Sequence, residues 1–253
     1  MGLLMKTETE IIHDAPDMPS YVRVQPRPPK YFVGVDLGQS VDPTAICVLA
    51  HRVRGSNTWL IHHRTGKPNL KVQQPENRYE VQYLQRLPLG LAYPLVVNEV
   101  LNLVARPPLN GPPADLVIDE TGVGRAVGDI FEQQSFRKFT RLTITAGNEQ
   151  TWVGKDRVHV AKGILISGVD AHLHRKELKF APELKEAMAA LHELQNFTRS
   201  VSAAGRFTYS AREGQHDDLV LAVAIALWKA LQPPPPVAQF GIWGQTGNGP
   251  GHY

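Results

Sequence analysis

The sequence predicts an α/β fold: a mixed central sheet, an antiparallel meander plus parallel crossover strands, flanked by helices. Three observations carry this. From Tyr31 onward, β-rich runs alternate with turn signals. Between Ala114 and Ala146 the pattern runs strand, helix, strand, which implies a parallel crossover. Near the C-terminus, "HDDLVLAVAIALWKAL" is apolar nearly all round, the mark of a helix buried in a core.

The elements follow in order. Residues 1–30 are polar, proline-rich near "QPRPPK", and read as an arm or loosely docked extension. "YFVGVDL", "TAICVLAHRV" and "TWLIHHRT" read as the meander, with turn signals at Gly38–Pro43 and Gly55–Asn57. Glu76 to Arg106 reads as helix in two pieces, broken near Pro88–Pro94. "PPLNGPP" is a loop and "ADLVIDE" a short apolar strand. "GRAVGDIFEQQ" reads as a helix and "FTRLTITA" as the next strand. "KDRVHVAKGILISGV" has the apolar spacing of an amphipathic helix. "APELKEAMAALHELQNF" is another, with Pro just inside its first turn, and "GRFTYSA" is a short strand or hairpin arm. Residues 233–253, opening with "PPPP" and ending Gly-rich, read as a disordered tail, which leaves 31–232 as the folded domain.

Composition narrows the function without choosing it. The 253 residues suit one large domain, or a domain with appendages. No apolar run is both long enough and charge-free enough to span a bilayer, and "MGLLMKTETEIIHDAPD" is too acidic for a signal peptide. The single Cys47, best read as core packing, excludes an internal disulfide and a Cys-based zinc site, which suits a reducing cytoplasm. A formal charge of +3 permits nucleic-acid binding without demanding it.

The acids are more informative. Asp36 ends the first strand of the meander, Asp119 ends "LVID", and Asp217 with Asp218 opens the buried final helix. Singly, each reads as a turn former or a helix cap. Together they form a constellation that resembles the ribonuclease-H-like fold, where such acids meet at one end of the sheet. Three or four clustered carboxylates repel one another and raise their own pKa values unless cations sit between them. Two Mg²⁺ ions relieve that repulsion: one activates water, the other stabilises the leaving oxygen of an in-line phosphodiester displacement.

"VGVDLGQSVDPTAI", "LVIDETGVG" and "GQHDDLVLAVAIALW" resemble the three nuclease motifs of the phage terminase large subunit, and the resemblance covers roughly 31–230. It implies that Asp36, Asp119 and Asp217 are catalytic metal ligands, with Asp218 close by. Neighbouring helical residues point about 100° apart, so the adjacent pair cannot face a metal equally. It further implies a metal-dependent endodeoxyribonuclease that uses two Mg²⁺ or Mn²⁺ ions to cut phage double-stranded DNA during packaging, in a bacterial host cell. The sequence holds no G-x-x-x-x-G-K-[ST] phosphate loop, so the expected partner is a separate packaging ATPase or portal assembly, with no membrane.

Arg125, Lys155, Arg157 and Lys162 follow the acid-bearing loops and are candidate phosphate contacts, or else solvated helix ends. Asp42 reads as a turn former before Pro43. Glu120, one residue past Asp119, points to the opposite face. His216 is either a group behind the site or a polar residue ahead of a helix. Two rival readings share some of these features. A RuvC-type Holliday-junction resolvase has the same fold and carboxylate chemistry but works as a symmetric dimer. An actin-like ATPase has a phosphate hairpin like "GVDLGQS", and its second hairpin is not evident.

Overall fold

Strand pairing organises the chain, described in this computed structural model over residues 9–12, 20–38, 42–63, 65, 69–122, 125–134, 138–201, 207–211 and 216–233. Two short strands come first, β1 (Thr9–Ile12) and β2 (Ser20–Val24). The meander is β3 (Lys30–Asp36), β4 (Ala45–His62) and β5 (Leu70–Arg86), paired antiparallel. Then α1 (Tyr93–Val104) leads to the expected parallel crossover of β6 (Asp115–Asp119), α2 (Arg125–Gln134) and β7 (Phe139–Thr145). Next come β8 (Gln150–Trp152), β9 (Arg157–Ala161), α3 (Lys162–His174) and β10 (Leu178–Phe180). The described part closes with α4 (Ala187–Asn196), the hairpin β11 (Phe197–Val201) and β12 (Phe207–Ala211), and α5 (Asp218–Leu231).

Among the described residues, one mixed sheet runs in the order β1-β2-β5-β4-β3-β6-β7-β9-β8, with β10 beside β5. Alternation along β3 divides its side chains between two cores. Val33 and Val35 face α1 and α2, with Val97, Val100 and Phe131. Phe32 and Gly34 face the side covered by α3, α4 and α5. The result is three layers, with β3 and β6 in the middle of the sheet. Among the described residues no helix is long and apolar enough to cross a membrane.

The structure departs from the sequence reading in four places. Ala45–His62, taken from both "TAICVLAHRV" and "TWLIHHRT", is one strand, β4; the Gly55–Asn57 signal marks a bulge between Gly55 and Trp59, not a turn. Residues 76–86, read as helix, belong to β5. Their Glu, Gln and Arg favour helix only weakly, and the long edge of β4 offers a ladder that outweighs this. "RVHVA" is β9, because Val158 and Val160 are buried and His159 between them is exposed, a period of two. Helix α4 starts at Ala187, five residues past the proline, after a run of turns. In the segment read as an arm, β2 pairs parallel with β5 and buries Val22 and Val24. The tail, apart from Pro233, lies outside the described residues.

Helix α5 is the centre of the packing on its side, with buried residues at nearly every position. It sits directly on β3. A Cβ built on Gly34 would lie 2.3 Å from the Ala222 carbonyl oxygen and 2.6 Å from the Ala226 nitrogen, both backbone atoms that cannot rotate away. We therefore expect Gly34→Ala to lift the helix and destabilise the protein by about 1–3 kcal/mol, the usual range for overpacking. Urea unfolding measures this; a wild-type midpoint would mean that α5 tolerates a displaced seat.

Candidate functional site

Three elements bring four carboxylates to one end of the sheet. Asp36 and Asp119 end the parallel strands β3 and β6 and are direct register partners, so their backbones lie about 4.8 Å apart. Both point to the α5 side, because Gly34 and Val117, two residues earlier, already do. Asp217 and Asp218 stand where α5 begins, at the same end. A cleft of about 400 Å³ is lined by all four, together with Asp42, Thr121, Lys162 and His216. Ligands of open α/β sheets commonly sit outside the carboxyl ends of the strands, and this cleft is there.

Each acid is held by different means. Asp119 is buried, and its Oδ1 accepts from the Thr121 backbone N–H at 2.8 Å and from the Thr121 hydroxyl at 2.5 Å. The Thr121 hydroxyl oxygen in turn accepts from the Ile144 N–H at 2.6 Å, which ties the loop to β7. Asp217 occupies the N-cap position of α5 yet makes no side-chain cap bond. Glu193 of α4 does that work instead, accepting the buried Val220 N–H at 3.1 Å. Both aspartates are thereby released from capping. Asp217 Oδ2 meets Lys162 Nζ at 2.5 Å, and Asp218 Oδ2 accepts from Arg86 Nε at 2.5 Å. Arg86 also bonds Glu193, so one guanidinium ties β5 to α4 and α5.

The electrostatics reflect crowding. Burial pushes Asp36 well above the usual carboxylate range, and the charges of Asp119, Asp217 and Asp218 push it further; Lys162 opposes them. Burial pushes Asp119 up to about 6, against the pull of the Thr121 hydrogen bonds and of one shared with Asp36. Glu193 is pushed up to about 7, again mainly by burial. Asp218 Oδ1 is buried with no hydrogen-bond partner, and His216 Nδ1 is 3.8 Å from it. As the side chains stand, no group of three or more His, Cys, Asp or Glu among the described residues is set to hold a metal ion. Asp217 is turned to Lys162 and Asp218 to Arg86.

The basic candidates separate. Lys162 lines the acid cleft. Lys155 lies by Asp115 and Lys138, at the end of β6 opposite to Asp119, and so a strand length from the acids. Arg157 pairs with Arg141 in register, and its charge acts on Glu120 on the α2 face. Arg125 opens α2 beyond the Asp119 loop; its side chain is outside the described residues. Glu120 points away from the cleft as expected, bonded to the fully buried Arg141. Asp42, read as a turn former, also lines the cleft, with His216 Nδ1 3.5 Å away. Arg86, Glu193 and Thr121 were not legible as site residues. Only Thr121 left a local signal, the Asp-x-Thr spacing of an Asx turn. Arg86 and Glu193 are 107 residues apart.

Two expectations follow. Arg86→Met leaves Asp218 and Glu193 buried without their cation, so it should cost about 3 kcal/mol in urea unfolding. A loss below about 1 kcal/mol would mean that the two acids find other partners. The second concerns pH. The folded value of Asp119, about 6, lies above its ordinary 3.8, so the folded state holds a proton that the unfolded state releases. That stabilisation is complete below pH 3.8 and is lost as pH rises through about 6, with Glu193 adding to the fall towards 7. Melts in chelator should show this decline, and Asp119→Asn should make it shallower. An unchanged slope would assign it to other groups.

No protein-family model matches the sequence, and no curated protein does. Solved structures are similar. The large terminase nuclease from thermophilic phage G20c matches with a TM-score of 0.55 at 20% identity, over 82% of this chain and 87% of that one. A second structure of that nuclease, with bound magnesium, gives 0.52 at 22% identity, over 82% and 86%. The large terminase nuclease domain of Thermus phage P74-26 gives 0.50 at 19% identity, over 81% and 83%. These likenesses, with the mixed sheet flanked by helices, show that the chain has the ribonuclease-H-like fold of phage large terminase nuclease domains.

Proposed function

We propose that this chain is a metal-dependent DNA endonuclease of the large-terminase type, cutting phage DNA during genome packaging. One observation carries the reading: Asp36, Asp119, Asp217 and Asp218, from three elements far apart in sequence, line a single cleft. Isolated turn formers and caps have no reason to converge, and Asp217 does not cap with its side chain. The donor set suits Mg²⁺ or Mn²⁺, being made of hard carboxylate oxygens, and the buried, unpartnered Asp218 Oδ1 is an acceptor that lacks a cation. A similar fold, the G20c nuclease, has been solved with magnesium.

In this reading Asp36, Asp119, Asp217 and Asp218 would hold two divalent cations, which when bound would supply an activated water and charge stabilisation at the leaving oxygen. The protein's own part is positional. Thr121 orients Asp119, Arg86 occupies Asp218 Oδ2 and leaves Oδ1 for a ligand, and Glu193 caps α5 so that neither aspartate is needed for capping. The substrate is double-stranded DNA, gripped through its phosphates. The 253 residues contain no phosphate loop, so a packaging ATPase or portal assembly acting with this chain brings the DNA to the cleft.

Incubation with supercoiled plasmid tests the reading. Nicking or cutting should require Mg²⁺ or Mn²⁺, stop in chelator, and need no ATP. Asp36→Asn, Asp119→Asn and Asp217→Asn should each slow it by orders of magnitude, since each removes a ligand charge. Near-wild-type cutting by any two of them would sink the assignment. A stable dimer that cuts four-way junctions symmetrically and spares linear duplex would favour the resolvase.

A further inference from the structure

We infer that Lys162 is a built-in counter-cation of the acid cluster, one that a divalent ion must displace from Asp217 in order to bind. This rests on reading the cleft as a metal site. The ammonium is 2.5 Å from Asp217 Oδ2, inside the cleft that also holds Asp36, Asp119 and Asp218. Its partner lies 55 residues away, and nothing local explains its place. Lys162 is the first residue of α3, where the helix dipole disfavours a positive charge, and the first turn has no acid to offset it. The preceding Ala161 is fully buried and fixes where the side chain starts. Nζ also lies 5.5 Å from the centroid of the Phe197 ring, whose face gives the ammonium a second contact.

Two consequences follow from charge alone. Without metal, the ammonium supplies the positive charge that the crowded carboxylates lack. With metal, the same ammonium is a like charge beside the incoming ion and holds one of its ligands. Lysine and divalent ion therefore compete for Asp217. Arg86 is not among the residues lining the cleft; it binds Asp218 Oδ2, and Asp218 Oδ1 stays unpartnered.

Calorimetric titration of Mn²⁺ into chelator-treated protein measures the competition. Lys162→Met should bind Mn²⁺ about tenfold more tightly than wild type, within the usual range of coupling between sites. Its melting midpoint in EDTA should fall below that of wild type, and the gap should close in saturating Mn²⁺. Lys162→Arg keeps the charge and should bind Mn²⁺ as wild type does, which separates charge from shape; Lys162→Gln replaces the methionine variant if that one misfolds. Equal or weaker Mn²⁺ binding by the neutral variant, while Asp119→Asn has lost it, overturns this inference and leaves the metal reading standing. A folded wild type that takes up no Mn²⁺ overturns both.

Discussion

Helix α5 can lie against β3 only because Gly34 presents no side chain to it, with Ala222 and Ala226 at the point of contact. That seat fixes the height of the helix over the sheet, and so the position of the two aspartates at its start. The strands supply the other half of the cluster by register: Asp36 and Asp119 are partners across a parallel pair, and the pleat sends both to the α5 side. A glycine in mid-strand and a pairing register thus decide where four carboxylates meet, although no charged side chain takes part in either.

Gathering those acids has a cost that the surrounding groups offset unevenly. Thr121 gives Asp119 two hydrogen bonds, Arg86 gives Asp218 a half-buried cation, and Lys162 gives Asp217 another. Burial and the charges of Asp119, Asp217 and Asp218 push Asp36 well above the usual carboxylate range, with Lys162 opposing them. Glu193 is part of the same balance. It caps α5 from another helix and shares Arg86 with Asp218, so the helix start is organised from outside its own sequence.

The opposite face is built on a different economy. Arg141 is almost completely buried beneath α2, paired with Glu120, Asp129 and Glu132. Gly128 makes room for it, since a Cβ there would collide with both Glu120 and the guanidinium. This anchors α2 over β6 and β7 and holds Glu120 on its own side of the sheet. Adjacent acids, Asp119 and Glu120, are thereby committed to opposite faces, one to the cleft and one to an internal ion pair.

How much of this was legible depends on the range of the force involved. Apolar periodicity is local, so β3, β6, β7 and the all-round apolar α5 were readable, as were the aspartates that end or open them. The separation of Asp119 from Glu120 was readable too, because alternation in a strand needs no partner to be known. β5 was not: its Glu, Gln and Arg lean weakly to helix, and only the ladder offered by β4 made it a strand. Nor could the chain say which of its basic residues would reach the acids. Lys155 and Lys162 are seven positions apart, and β9 between them carries one to each end of the sheet. Arg86, Glu193 and Asp218 meet across more than a hundred residues, and a contact of that span leaves no pattern in either neighbourhood. Along β3, β6, β7 and α5 the sequence by itself determined which residues are buried and where the acids stand. Tertiary structure alone decided which charges face one another, because packing and strand order, not local propensity, set the distances over which those charges act.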